Sequence, residues 1–241
     1  MPKILNSILT TLVFLMGFIA FDSWNRFVLA GLAILVIVIF VNYLRLKIFG
    51  AKMPDYWQLV MPGLYVLGLL GALASISSLT FKILLDVVGS GVFYYYQTNF
   101  LVNPESEVDQ EFFTLSTALL VLVLIWSLNF YYHAPWWTTT LLTSICFFLM
   151  FSEIFYKIKV PSRILWATVN SLVLAEVHAA VLYWPVNFLT AAVIVFSVFY
   201  SLYIFTKLYF AHRLTSKRIY FHTALILAVV FGAVISSAWT V

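Results

Sequence analysis

The stretch TFKILLDVVGSGVFYYYQTNFL, residues 80–101, decides the fold. It has the length of a membrane-crossing helix, about 20 residues, yet it holds Lys82, Asp86 and the run Gly89-Ser90-Gly91. Whether it crosses fixes the side on which every later loop lies.

The rest of the chain leaves little doubt about the solvent. Of its 241 residues 64% are hydrophobic and 9% charged, whereas a soluble domain carries about 25% charged residues. Mean hydropathy is +1.04. This is the composition of an all-α, polytopic integral membrane bundle, read as a single transmembrane domain over 1–241 whose surroundings are membrane lipids and other membrane subunits. The net charge of +4 does not point to nucleic acid, because the basic residues fall at the ends of apolar runs, where they act as topology signals. A lone cysteine, Cys146, excludes an internal disulfide and a cysteine-based metal cluster. No lysine sits mid-span to anchor a retinal Schiff base, and no His-Glu-x-x-His helix or Walker loop occurs. No metal and no cofactor is expected.

Apolar runs near 4–21, 26–44, 57–78, 113–132, 137–156, 164–184, 186–206 and 219–240 each suffice to span. If 82–101 also crosses, Lys3, Arg45, Lys47, Lys52, Lys157, Lys159, Arg163, Lys207, Arg213, Lys217 and Arg218 all lie on one side, with only Arg26 and Lys82 opposite. If it does not, the later basic clusters change sides. The positive-inside rule therefore selects about nine transmembrane helices, N-terminus cytoplasmic and C-terminus outside, in the cell (cytoplasmic) membrane. The acidic loop NPESEVDQE, 103–111, does not oppose this, since acids weigh little in the rule. It is expected to make a turn at Asn103-Pro104 and a capping box from Ser106 to Asp109. YYHAPWW, 131–137, and LYWPVN, 182–187, read as tight outer hairpins with interfacial tryptophans. In the third span, Gly68 with Ala72 and Gly71 with Ser75 make a small-residue packing face.

Ionisable groups at membrane depth are costly and form the default site hypothesis. LAEVHAAVLYWP, 174–185, places Glu176 and His178 in such a span. At 1.5 Å per residue Glu176 lies ~20 Å from Arg163, and His178 ~10 Å below Pro185. Two positions apart on a helix differ by ~200°, so the pair serves different neighbours rather than one ligand, and Ser171 shares the face of His178. Asp86 lies ~6 Å inside Lys82 and is expected to pair with it at i, i+4. Glu176, His178, Asp86 and Ser171 thus form a buried polar patch suited to a small transporter, a channel-like protein or an assembly subunit of a membrane complex.

The alternative is an intramembrane enzyme. In VVGSGVF, 87–93, Ser90 lies ~12 Å below the outer surface, at a depth similar to that of His178. The pattern resembles the rhomboid intramembrane proteases, which place a glycine-flanked serine on an inward-running fourth span and a histidine on a later one. The resemblance implies a Ser90–His178 dyad. It covers a few residues, and the chain departs from it: Val88 stands two before the serine in place of glycine, the second span lacks His-x-x-x-Asn, and no glycine follows His178. Gly-Ser-Gly as a packing notch and a non-enzymatic role are the favoured readings.

Reporter fusions near Val108 and at the C-terminus are expected to report cytoplasm and exterior respectively. A cytoplasmic C-terminus would remove the fourth crossing.

Overall fold

The computed structural model describes the backbone of residues 2–20, 31, 33–43, 56–102 and 107–236, and side chains within 7–17, 31, 33–43, 60–98 and 110–236. The Asn103-Pro104 turn and the Ser106 cap lie outside the described residues, as do Arg26, Arg45, Lys47 and Lys52 and the side chain of Lys3.

All regular structure among these residues is helical: α1 (Pro2–Ala20), α2 (Ala33–Tyr43), α3 (Tyr56–Ser75), α4 (Leu79–Val102), α5 (Glu107–Tyr132), α6 (Trp136–Lys157), α7 (Arg163–Val181), α8 (Phe188–Phe210) and α9 (Ser216–Ser236). The deciding stretch is helix throughout, as the 24 residues of α4. Five helices, α5 to α9, are long and apolar enough to cross a membrane, which makes this a polytopic helical membrane protein. α4 has the length but is not among those five, since it carries Lys82, Asp86, Gln97 and three successive tyrosines.

The chain divides into two compact units, Met1–Leu124 and Ile125–Val241, with α5 contributing to both. In the first, α1 packs on α3 and α4, and α3 on α4. The small-residue face of α3 is where α5 comes close: a Cβ on Gly68 would stand 2.8 Å from the Leu120 carbonyl carbon, and one on Gly71 would overlap the Leu124 side chain. α3 runs unbroken through Pro62. An aromatic column ties the helices together: Tyr65 stacks on Phe113 at 4.7 Å between centroids, and Phe113 on Tyr96 at 3.7 Å. The Tyr65 hydroxyl donates to the Gly89 carbonyl at 2.9 Å, joining α3 to α4.

In the second unit each helix packs on the next, α6 on α7, α7 on α8 and α8 on α9. Phe147, Phe151 and Phe155 recur every four residues, so one face of α6 is a phenylalanine ladder. Phe199 of α8 inserts against it, 5.1 Å from Phe147 and 5.2 Å from Phe151. The hairpin tryptophans Trp136, Trp137 and Trp184 are all exposed, as an interfacial belt requires.

Many hydroxyls are consumed locally. Thr11, Ser75, Thr117, Thr143, Ser197 and Ser201 each donate to the carbonyl four residues back, at 2.7–2.9 Å. Such back-bonding satisfies a serine or threonine in an apolar helix without any partner element.

Gly68→Ala forces the α5 backbone outward and should lower stability by about 1–3 kcal/mol. Gly91→Ala, whose added Cβ meets nothing within 4 Å, should be neutral or stabilise by up to about 1 kcal/mol through helix propensity. Thermal melting of the detergent-solubilised variants, followed by size-exclusion, checks the pair, and equal melting temperatures would refute the close contact.

Candidate functional site

Ser90 and Thr10 depart from the back-bonding habit. The Ser90 hydroxyl donates to Asp86 Oδ1 at 3.5 Å, one turn back on α4. Thr10 Oγ1 is buried and has no hydrogen-bond partner among the described residues. Both belong to a groove of about 520 Å³ between α1 and α4.

The groove follows from spacing. Its α1 wall is Ser7, Thr10, Thr11 and Phe14, and its α4 wall is Val87, Ser90, Gly91 and Tyr94. Each set runs i, i+3, i+4, i+7, which is one face of a helix. Continuing the α1 face by one turn leads to Gly17, and continuing the α4 face by one turn leads back to Asp86. These two meet: a Cβ on Gly17 would overlap the Asp86 carboxyl. The missing side chain lets α1 close over the carboxylate, which is 0% exposed. Asp86 Oδ2 has no hydrogen-bond partner among the described residues.

The expected Lys82–Asp86 pair is therefore corrected. The two share a face of α4, but the carboxyl is turned into the α1 contact, where Ser90 is its hydrogen-bond donor. The carboxyl–lysine pairing seen elsewhere is that of Glu153 with Lys157, 2.7 Å apart at i, i+4 on α6.

The second unit holds the other candidates. His178 is 0% exposed, and its ring lies 4.5 Å from that of Trp126, tilted by 42°. Neither His178 nitrogen nor Trp126 Nε1 has a hydrogen-bond partner among the described residues. Ser171 shares the buried face of α7 with His178, and its hydroxyl donates to the Thr168 carbonyl at 2.9 Å. Glu176 departs from the buried patch expected of it. It is exposed, because the ~200° between it and His178 turns it outward once His178 faces the core. Ser90 belongs to the first unit and His178 to the second. Within its own unit the Ser90 hydroxyl faces Asp86, and the His178 ring lies against Trp126.

Three contributors were not singled out in the sequence: Thr10 and Gly17 of α1, and Trp126 of α5. The first two carried a signal, a seam of small and hydroxyl residues at helical spacing in an otherwise aliphatic span. Of the remaining histidines, His133 and His212 occupy left-handed positions in turns, with φ of 49° and 53°. His222 shares a hydrogen bond with the Tyr200 hydroxyl at 3.1 Å. Among the described residues no three His, Cys, Asp or Glu side chains are grouped closely enough to hold a metal ion.

Each buried polar atom left unmet opposes folding by about 1–3 kcal/mol, so His178→Leu, close in volume but apolar, is expected to melt at or above the parent. Trp126→Ala, which opens a cavity beside it, should lose about 3–5 kcal/mol. A His178→Leu protein that melts far below the parent would mean that the imidazole nitrogens are satisfied in the membrane. No protein-family model, curated protein or solved structure matches this chain.

Proposed function

We propose that this protein is a small transporter of the cell membrane, coupled to a proton or a small cation, with Asp86 as the coupling carboxylate and the α1–α4 groove as its access route. The observation that carries the reading is the Asp86 carboxyl, wholly buried, with one oxygen unmet among the described residues. An isolated carboxylate in an apolar interior is strongly disfavoured. A proton or a cation supplies the missing counter-charge, and its exchange changes the charge of the site. Such residues mark ion and proton pathways in membrane proteins.

The groove supports the same reading. Ser90 offers a hydroxyl oxygen beside the carboxyl, Thr10 offers another farther along the groove, and hard cations take oxygen ligands. The packing against Gly17 gives a mechanism for coupling. α1 approaches Asp86 without an intervening side chain, so a change in the charge or size of what the carboxyl holds acts directly on the α1–α4 contact. The Ser90 hydroxyl reaches a carboxylate rather than an imidazole within its unit, which favours transport over hydrolysis. The nine-span topology with a cytoplasmic N-terminus belongs to this proposal.

The test compares the parent with Asp86→Asn. A ligand bound at 100 times its dissociation constant stabilises by about 2.7 kcal/mol, which at this chain length is a melting shift of roughly 5–10 °C. The parent is expected to melt higher in one of Na⁺, K⁺ or Li⁺, or at acid pH, and Asp86→Asn to lose that dependence. A gradient of the ion so identified, imposed across proteoliposomes, should dissipate faster with the parent than with Asp86→Asn. Superimposable dependence in the two proteins would remove Asp86 from any coupling role.

A further inference from the structure

The outward face of α7 carries a charge where a lipid-facing helix should carry none. The buried side of α7 is Ala167, Asn170, Ser171, Leu174, Ala175, His178 and Val181. The opposite side is a stripe of Leu165, Val169, Leu172, Val173, Glu176 and Ala180, all exposed. Their spacing of three and four residues makes one continuous face. Glu176 stands 13 residues from Arg163 and five from Val181, ~20 Å and ~8 Å along the axis. It stands inside the span, about a turn and a half from its nearer end.

Two comparisons within the chain show how unusual this is. Residues 125–241 contain two acidic residues, Glu153 and Glu176. Glu153 is 1% exposed and paired with Lys157, whereas Glu176 has neither an ion pair nor a hydrogen bond among the described residues. α9 has no buried residue, and from Thr223 to Ser236 it contains no Asp, Glu, Lys or Arg. A face that meets only acyl chains is thus written without charge in this protein, and the α7 stripe is not.

We propose that the α7 stripe seats a transmembrane helix of a partner protein that sets a lysine or arginine side chain against Glu176. Charge complementarity selects this occupant. A second copy of the chain, docked through the same face about a two-fold axis, would bring Glu176 against Glu176. A basic side chain neutralises the carboxylate and hydrogen-bonds it, while Val169, Leu172 and Val173 provide the close packing on which helix association in lipid depends. The inference is independent of the Asp86 site, which lies on other helices.

The experiment uses the full chain in phosphatidylcholine vesicles, its tryptophans serving as energy-transfer donors, and synthetic polyleucine transmembrane peptides carrying an acceptor dye. Two peptides have one lysine a third of the way from either end, one has leucine throughout, and one has glutamate in place of lysine. One lysine peptide is expected to associate about tenfold or more tightly than the all-leucine peptide, a difference of about 1.4 kcal/mol. Glu176→Gln and Glu176→Leu should reduce it to the all-leucine level, and Glu176→Asp should retain part of it. Because Glu176 is exposed, these variants are expected to elute and melt as the parent does. Equal association of the lysine and leucine peptides, or a lysine preference that survives Glu176→Leu, overturns the proposal. So does self-association of the chain through Glu176 in place of lysine-peptide binding, which would assign the face to a second copy.

Discussion

In lipid there is no water to satisfy a polar group, and each donor and acceptor must find its partner within the protein. The backbone meets this requirement by being helical through each described apolar run. Many hydroxyls meet it by folding back on the preceding turn, as Ser75 does on Gly71 and Thr117 on Phe113. Against that uniform background a polar group that is not satisfied locally stands out physically. Asp86, His178 and Glu176 are such groups, and each is treated differently: one enclosed at a glycine, one set against a tilted indole, one turned out of the bundle.

The same solvent changes what holds helices together. Burying leucine in protein gains little when the alternative is an acyl chain, so contact quality and interhelical polar bonds decide. The first unit relies on both. Glycines of α3 admit α5, and Tyr65 adds a ring to the aromatic column and a hydroxyl bond to Gly89. The second unit relies chiefly on large rings, with Phe199 against the ladder of α6, and on the hydrogen bond between Tyr200 and His222 that joins α8 to α9.

The helices were legible because length and apolarity are local. Every expected crossing for which residues are described is a helix, including the Lys82- and Asp86-bearing stretch whose charges argued against it. Five are long and apolar enough to cross on their own composition. The site was less legible. Periodicity showed that His178 and Glu176 could not share a neighbour, but not which of them faces inward, because a membrane helix is apolar on its outward side as well as on its buried side. The partner of Asp86 was misread for a different reason. Lys82 is one turn away in sequence, while Gly17, whose missing side chain determines where the carboxyl goes, is on another helix. A local rule has no access to that.

The pattern of neighbours also bears on how the chain is assembled during synthesis. From α7 onward each helix packs on the one just before it, so contacts form in the order in which helices emerge, and the mean sequence separation of partners stays low. The N-terminal half cannot proceed this way. α1 has its contact with α4, so the first helix must remain in the insertion machinery or the bilayer with its Gly17 seam open until the fourth arrives. Asp86 then enters the membrane toward a surface already waiting for it. The carboxylate, the group most costly to leave in lipid, is thus delivered last to the helix pair that encloses it, and the rate of that docking governs how long the nascent chain exposes a bare charge to the bilayer.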